Sequence, residues 1–471
     1  MASNREQLQA HQFLVQRAVS ALVTRETDPE QPPFRRPGAA AFAGLGLAVI
    51  ALVVAGVFGL IFPGGNLAWQ DGKSVIVEKE TGTRYVYLHG KLHPVANYSS
   101  ALLALGEHAE TRSVSGNSLA GAPRGPRIGI PDAPDALADP DRLLDGGWTL
   151  CSKPGTDLTG ATVHRSALLV GGQPTGGAAG AGALLVQVPG ADEQFLIAGG
   201  YRHRISRADA VVVGLALGAG PALEVGPAIV DLIPAGEPIG PIPVPDAGQP
   251  STAVPSRPDL RVGQLLVMTT SGGAVQRFLA EPDRLRPITG LAFDIQLAHQ
   301  PTTAAYPGGE PVGIPLSPLA VAEAQQRPAA PAEAGAPPST RPSFATSAAG
   351  IVCLTFDPGS FAPRLTVDPV LPPGNSAIAT PRRTGGGVAL ADEVLVPPGG
   401  GAVIEVMPSA QAPAGALAVV TDLGKAYPLA DPDLLGALGY AGTRPVRLPA
   451  GLVARIPHGP GLDREAAMQQ W

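Results

Sequence analysis

Residues 38–62 run for 25 positions without a charge or a side-chain amide, GAAAFAGLGLAVIALVVAGVFGLIF, and this run decides what kind of chain can form. At 1.5 Å per residue it makes a helix of about 37 Å, enough to cross a hydrocarbon core of roughly 30 Å with some tilt. A secretory signal would be shorter, would begin nearer the start and would end at a small-residue cleavage site; here 37 residues come first, which favours an uncleaved anchor. Arg35 and Arg36 stand immediately before the run and residues 63–72 carry no Lys or Arg, so the positive-inside rule places the N-terminus in the cytoplasm. About four hundred residues then lie across the membrane in an oxidising compartment. Cys151 and Cys353, the only cysteines, both fall there, and a disulfide is favoured over two buried thiols, with Cα atoms about 4.4–6.8 Å apart.

Residues 3–23 form an amphipathic helix opening on Ser3-Asn4-Arg5-Glu6, the pattern of a capping box. Leu8, Phe13, Val15, Val19 and Leu22 mark its apolar face, widened by Leu14 and Ala18. With no cytoplasmic domain to bury it, the face suits a groove on a partner protein better than the inner leaflet, since Arg5, Arg17 and Arg25 alternate with Glu6 and Glu26. Pro29, Pro32, Pro33 and Pro37 end the helix and space it from the membrane.

Beyond the span, Gly and Pro make up about a quarter of the chain and aromatic residues 4%, which disfavours long helices and predicts many short strands. Four stretches share a rhythm of two strands around a turn followed by a short apolar helix: residues 84–106, 194–218, 276–299 and 416–440. His93, His203, Arg286 and Tyr427 fall at equivalent positions. The third stretch is the least regular, because a poorer helix pattern follows Pro287. Uneven spacing excludes a regular solenoid and places these ββα units around an inserted core. The predicted layout is a cytoplasmic helix and linker at 1–37, the span at 38–62, a first repeat at 63–112 and core segments at 113–190 and 345–412. The second and third repeats lie at 191–344 and the fourth, with the C-terminal tail, at 413–471. The fold class is α+β: one transmembrane helix and an elongated extracytoplasmic domain of four divergent ββα repeats about a β-rich core. A glycine-rich loop at 174–182 and a Pro/Ala linker at 326–342 are expected to lack regular structure.

Charged residues are 15% of the chain and the net charge is −6, which argues against a nucleic-acid partner. No G-x-x-x-x-G-K-S/T loop is present; the nearest phosphate candidate is the glycine run 385–387 beside Arg382 and Arg383, which reads more naturally as a plain loop. Eight scattered histidines form no H-E-x-x-H pair, so neither a metal nor a cofactor is expected. Asp139/Asp141 and Asp431/Asp433 flank prolines in turns, where capping is the ordinary use. No catalytic residue is assigned.

The segments EQLQAHQFLVQRAVSAL (6–22), RIGIPDAPDALADPDRLLDGGWTLC (127–151) and RPVRLPAGLVARIPHGPGLDREAA (444–467), in this order with one span and two cysteines, resemble the EccB family, the membrane component of type VII (ESX) secretion in actinobacteria. The resemblance covers nearly the whole chain. It implies a structural part of an inner-membrane complex, with the motor ATPase EccC, EccD, EccE and the mycosin protease as partners and self-association of the outer domain. It also implies an outer body of four repeats with one disulfide mapping onto Cys151 and Cys353. Family members have been described as ATPases, so an extracytoplasmic ATPase, or a ligand- or cell-wall-binding module on a membrane stalk, is the alternative.

Overall fold

The computed structural model describes residues 4–25, 35–61, 67–157, 159–179, 182–191, 193–206, 208–215, 222–328, 333–374 and 377–470. Asn4–Thr24 is helical, as its apolar period requires, while Ser3 and the prolines at 29, 32 and 33 lie outside the described residues. The second helix, Arg35–Ile61, takes in Arg35, Arg36 and Pro37 as its first turn, where proline's missing N–H has no intrahelical acceptor to lose. Within it Gly38–Val57 has a mean hydropathy of 2.5 and none of it is buried in the protein.

The repeat is longer than the sequence rhythm indicates. Each unit is strand, strand, strand, helix, strand, helix, with the last strand parallel to the first. Its sheet order is third, second, first, last. The first unit comprises strands Ser74–Glu78, Arg84–Leu88 and Lys91–Pro94, helix Tyr98–Leu105, strand Glu110–Val114 and helix Gly116–Leu119. The second begins at Leu184–Gln187, the third at Leu265–Thr269 and the fourth at Gly401–Met407, and they close with helices Pro227–Leu232, Pro318–Glu323 and Ala450–Val453. The opening strands of the second and fourth units thus fall inside the segments expected to be core. The third unit, expected to be the weakest, carries the longest helix of the four, Gly290–Ala298, capped by Thr289 accepting from Ala292 N.

Between the units lies a seven-stranded sheet in the order Ala377–Ala379, Glu393–Leu395, Thr162–Leu169, Trp148–Thr156, Val352–Phe356, Arg364–Val367, Ala178–Ala179. Its last strand comes from the glycine-rich loop, so part of that loop is an ordered edge, paired with Thr366 and Val367. The Pro/Ala linker is also held where it is described: Leu291 N donates to Ser339 O, Glu237 N to Gly335 O, and Arg341 to Gly214 O. The first two run between main-chain groups and are available to any residue type, which is why composition gave no sign of them.

Hydrophobic clusters link the parts in the order first unit, fourth unit, central sheet, second unit, third unit. Leu103 packs with Tyr427, Leu438 and Leu462; Leu452, Val453, Ile229 and Val230 join Trp148, Leu150 and Phe356; Val211 and Leu215 meet Leu291 and Ile295. In the inner units the closing helix packs into the central core. In the outer units a preceding segment covers that face instead, Trp69 in the first and Ala253, Val254 and Leu260 in the third. These segments act as the caps that a stack of units needs at its ends.

Candidate functional site

Three features bear on function: the exposed helix before the span, the junction between span and body, and the seams that hold the body together. On the first helix Leu8, Phe13, Leu14, Val15 and Leu22 are exposed, Phe13 to 57% and Leu22 to 84%, and Val19 is half-buried. The apolar residues picked out in the sequence therefore form a surface stripe.

At the junction, the turn Ala68–Asp71 sits directly on the first sheet. Trp69 is 1% exposed, packs with Ile76, Tyr85 and Leu92, and meets Tyr87 edge-on at 5.3 Å. Arg112 donates to Ala68 O (2.6 Å) and pairs with Asp71 (3.1 Å), whose carboxylate also accepts from Lys73 N and Ser74 Oγ. The Lys73 N–H, aided by the Ser74 hydroxyl and the Arg112 charge, holds the Asp71 carboxyl below its ordinary value against the opposing effect of burial. Sequence reasoning missed this junction, because a lone tryptophan carries no pattern.

Cys151 and Cys353 are bonded, S–S 1.99 Å, and face each other in register on adjacent antiparallel strands. Their Cα atoms are 4.0 Å apart, closer than the expected range, because directly opposed residues on paired strands already approach to about 4.5 Å. Both are fully buried with Ala167 and Leu169.

His93, His203, Arg286 and Tyr427 occupy one register position, opposite Val86, Leu196, Leu279 and Val419. In three units a ring lies over a glycine of the segment that follows the closing helix. A Cβ on Gly125 would stand 2.2 Å from His93 Cε1, on Gly236 2.6 Å from His203 Cε1, and on Gly459 2.2 Å from Tyr427 Cε1. His93 Nδ1 donates to Pro126 O (3.0 Å) and His203 Nδ1 to Glu237 O (2.8 Å). Burial first, and the Asp132 charge second, push the Tyr427 phenol above its ordinary value, so it stays neutral. These rings fasten the closing segment to the sheet. The signal for them was the tripeptide Pro-x-Gly at 123–125, 234–236 and 457–459, which the sequence reading did not pick out.

The glycine run 385–387 lies in a tight turn over 384–388: Thr384 N donates to Val388 O and Gly387 N to Thr384 O, so two N–H groups of the turn, one of them in the glycine run, are already used. Arg382 pairs with Asp392 (3.2 Å) and Arg383 donates to Gly387 O (3.1 Å). Among the described residues no group of three or more His, Cys, Asp or Glu is placed to hold a metal.

One helix among the described residues, long and apolar enough to cross a membrane and followed by a body of capped sheet units, defines the class: a single-anchor protein with a large folded domain. Comparison with known proteins places it further. The family described as type VII secretion system ESX-1, transport TM domain B, matches residues 1–471, and the chain belongs to that family. It is 29% identical over 486 residues to the ESX-2 secretion system ATPase EccB2 of Mycobacterium tuberculosis (strain ATCC 25618 / H37Rv), covering 99% of this chain and 94% of that protein. To the ESX-3 secretion system ATPase EccB3 of Mycolicibacterium smegmatis (strain ATCC 700084 / mc(2)155) it is 26% identical over 496 residues, 98% of this chain and 90% of the other. Its fold is similar to a chain of an intact ESX-5 inner membrane complex, with a TM-score of 0.66 at 23% identity over 100% of this chain and 96% of that one. It is equally similar to the EccB3 dimer from the ESX-3 core complex, 0.66 at 24% identity over 84% and 100%.

Proposed function

We propose that this chain is a structural component of a type VII secretion complex in the inner membrane. Its first helix lies in the cytoplasm and docks on the EccC-type motor, and its four-unit body stands outside, where it self-associates and assembles with EccD, EccE and the mycosin protease. The observation that carries this reading is the match of the whole chain to one transport family, anchor and body together. The orientation rests on Arg35 and Arg36 at the head of the span. One helix encloses no path of its own, so a pore needs partner chains.

The docking helix supplies the direct test. Exchanging Leu8, Phe13 and Val15 for aspartate is expected to cut co-purification of the motor with tagged chain at least tenfold, while the unfolding of the body is unchanged. Undiminished co-purification would reject the groove and leave the lipid surface as the binding site.

Both relatives carry ATPase in their names, which favours a second reading, nucleotide hydrolysis by this chain. The geometry of residues 382–388 argues against it, since both arginines and two turn N–H groups have internal partners. Full-length chain in detergent, free of the motor, is expected to turn over ATP no faster than background. Turnover that disappears on replacing Arg382 and Arg383 with alanine would establish the enzyme.

A further inference from the structure

The first and third units share an arginine that the second and fourth lack. Strand registers make Arg84 and Arg277 equivalent, each two residues before the partner of the shared third-strand position, where the other units have Gln194 and Leu417. Asn97 and Thr289 are equivalent caps, accepting from Ser100 N and Ala292 N. Tyr98 and Gly290 therefore open the two helices alike.

In the first unit this corner holds a carboxylate. Asp135 pairs with Arg84 Nη1 at 3.0 Å and accepts from Tyr98 N at 3.1 Å, while the preceding residue, Pro134, accepts from Ser99 N at 3.2 Å. In the third unit the chain returns to the same place: Ser339 O accepts from Leu291 N at 3.1 Å, which aligns Ser339 with Pro134 and Thr340 with Asp135. Thr340 brings no charge. Among the described residues no carboxylate pairs with Arg277, whose guanidinium lies over the Phe293 ring at 5.6 Å; its Nη1 would be 3.6 Å from a Cβ on Gly290. Arg277, Thr289, Gly290, Ser339 and Thr340 line an open cleft of about 610 Å³, shared with Gln276, Gln326 and Arg327, the last paired to Glu281 at 3.7 Å. Leu291 N and Ala292 N are taken by Ser339 O and Thr289 Oγ1, which leaves Gly290 N, the counterpart of Tyr98 N, beside the guanidinium at the positive end of the helix, and both favour an anion.

We propose that this corner of the third unit binds a carboxylate from another polypeptide, an acidic side chain or a C-terminus. It is the group that the first unit supplies to itself. A polypeptide is favoured over a small acid because the cleft is open and lined by amide and hydroxyl groups, which suit a main chain.

The test uses full-length chain in detergent and a fluorescein-labelled peptide bearing two glutamates and a free C-terminus, followed by anisotropy. The peptide is expected to bind, its amidated glutamine analogue is not, and Arg277→Gln is expected to weaken binding at least tenfold. Thr340→Asp, which supplies the carboxylate internally, is expected to weaken binding as much. It should also raise the unfolding midpoint in the Arg277 background and leave it unmoved in the Arg277→Gln background. Succinate binding as tightly as the peptide would support the carboxylate site but assign it to small acids, overturning the polypeptide assignment. Peptide binding unaffected by either substitution, or a Thr340→Asp midpoint shift independent of Arg277, would overturn the site.

Discussion

Replacing Cys151 and Cys353 together with alanine will destabilise the body by about 2–5 kcal/mol and lower its unfolding midpoint by on the order of 2–6 °C. The bond closes a separation of 202 residues, for which the chain-entropy account gives about 5 kcal/mol. Two further observations bear on the size. Both sulfurs are buried between Ala167 and Leu169, so alanine leaves a small cavity rather than a stranded hydroxyl. The strands they join also form a central ladder of the seven-stranded sheet, and this ladder brings together segments separated by the whole of the second and third units. Reduced wild type should unfold with the double variant. A reduced form as stable as the oxidised one would show that the sheet holds without its staple.

The second large effect is expected at the ring-bearing glycines. Alanine at Gly236 should cost about 1–3 kcal/mol, because its Cβ would meet both the fully buried His203 ring and the Gly335 carbonyl oxygen at 2.7 Å. Alanine at Gly459 should cost a similar amount, since Tyr427 is 2% exposed and has nowhere to turn. Alanine at Gly125 should cost less, as His93 is only half-buried and can swing outward. The third unit is the internal control: Arg327 stands in the glycine position and no ring covers it, so Arg327→Ala should stay within about 0.5 kcal/mol. Chemical denaturation of the four variants measures the ranking. Equal losses at all four positions would mean that closing-segment contacts of another kind dominate.

The spanning helix was legible in the sequence to within a few residues of its start, because a 25-residue apolar run admits few alternatives. The cysteine pair was legible through its compartment. The repeats were legible only at their middles, where a hairpin and an apolar helix follow one another. Their opening strands, such as Leu265–Thr269, read as ordinary apolar runs, and the last strand of the second unit, Leu223–Glu224, is too short to show a period. With 60 glycines in the chain no single one is informative, so Gly125, Gly236 and Gly459 stand out only when the units are aligned on their registers. The carboxylate corner depends on the same alignment, since Asp135 and Thr340 each lie far along the chain from the arginine they face or fail to pair.

Trp69 sets a short leash. Between Ile61, the last residue of the spanning helix, and Leu67, where the turn against the first sheet begins, there are six peptide steps, a reach of at most about 22 Å. Because Trp69 is built into the core of the first unit, that unit cannot drift sideways from its own anchor by more than this distance. Where copies stand side by side, the spacing of their anchors can therefore differ from the spacing of their first units only by as much as these short tethers allow.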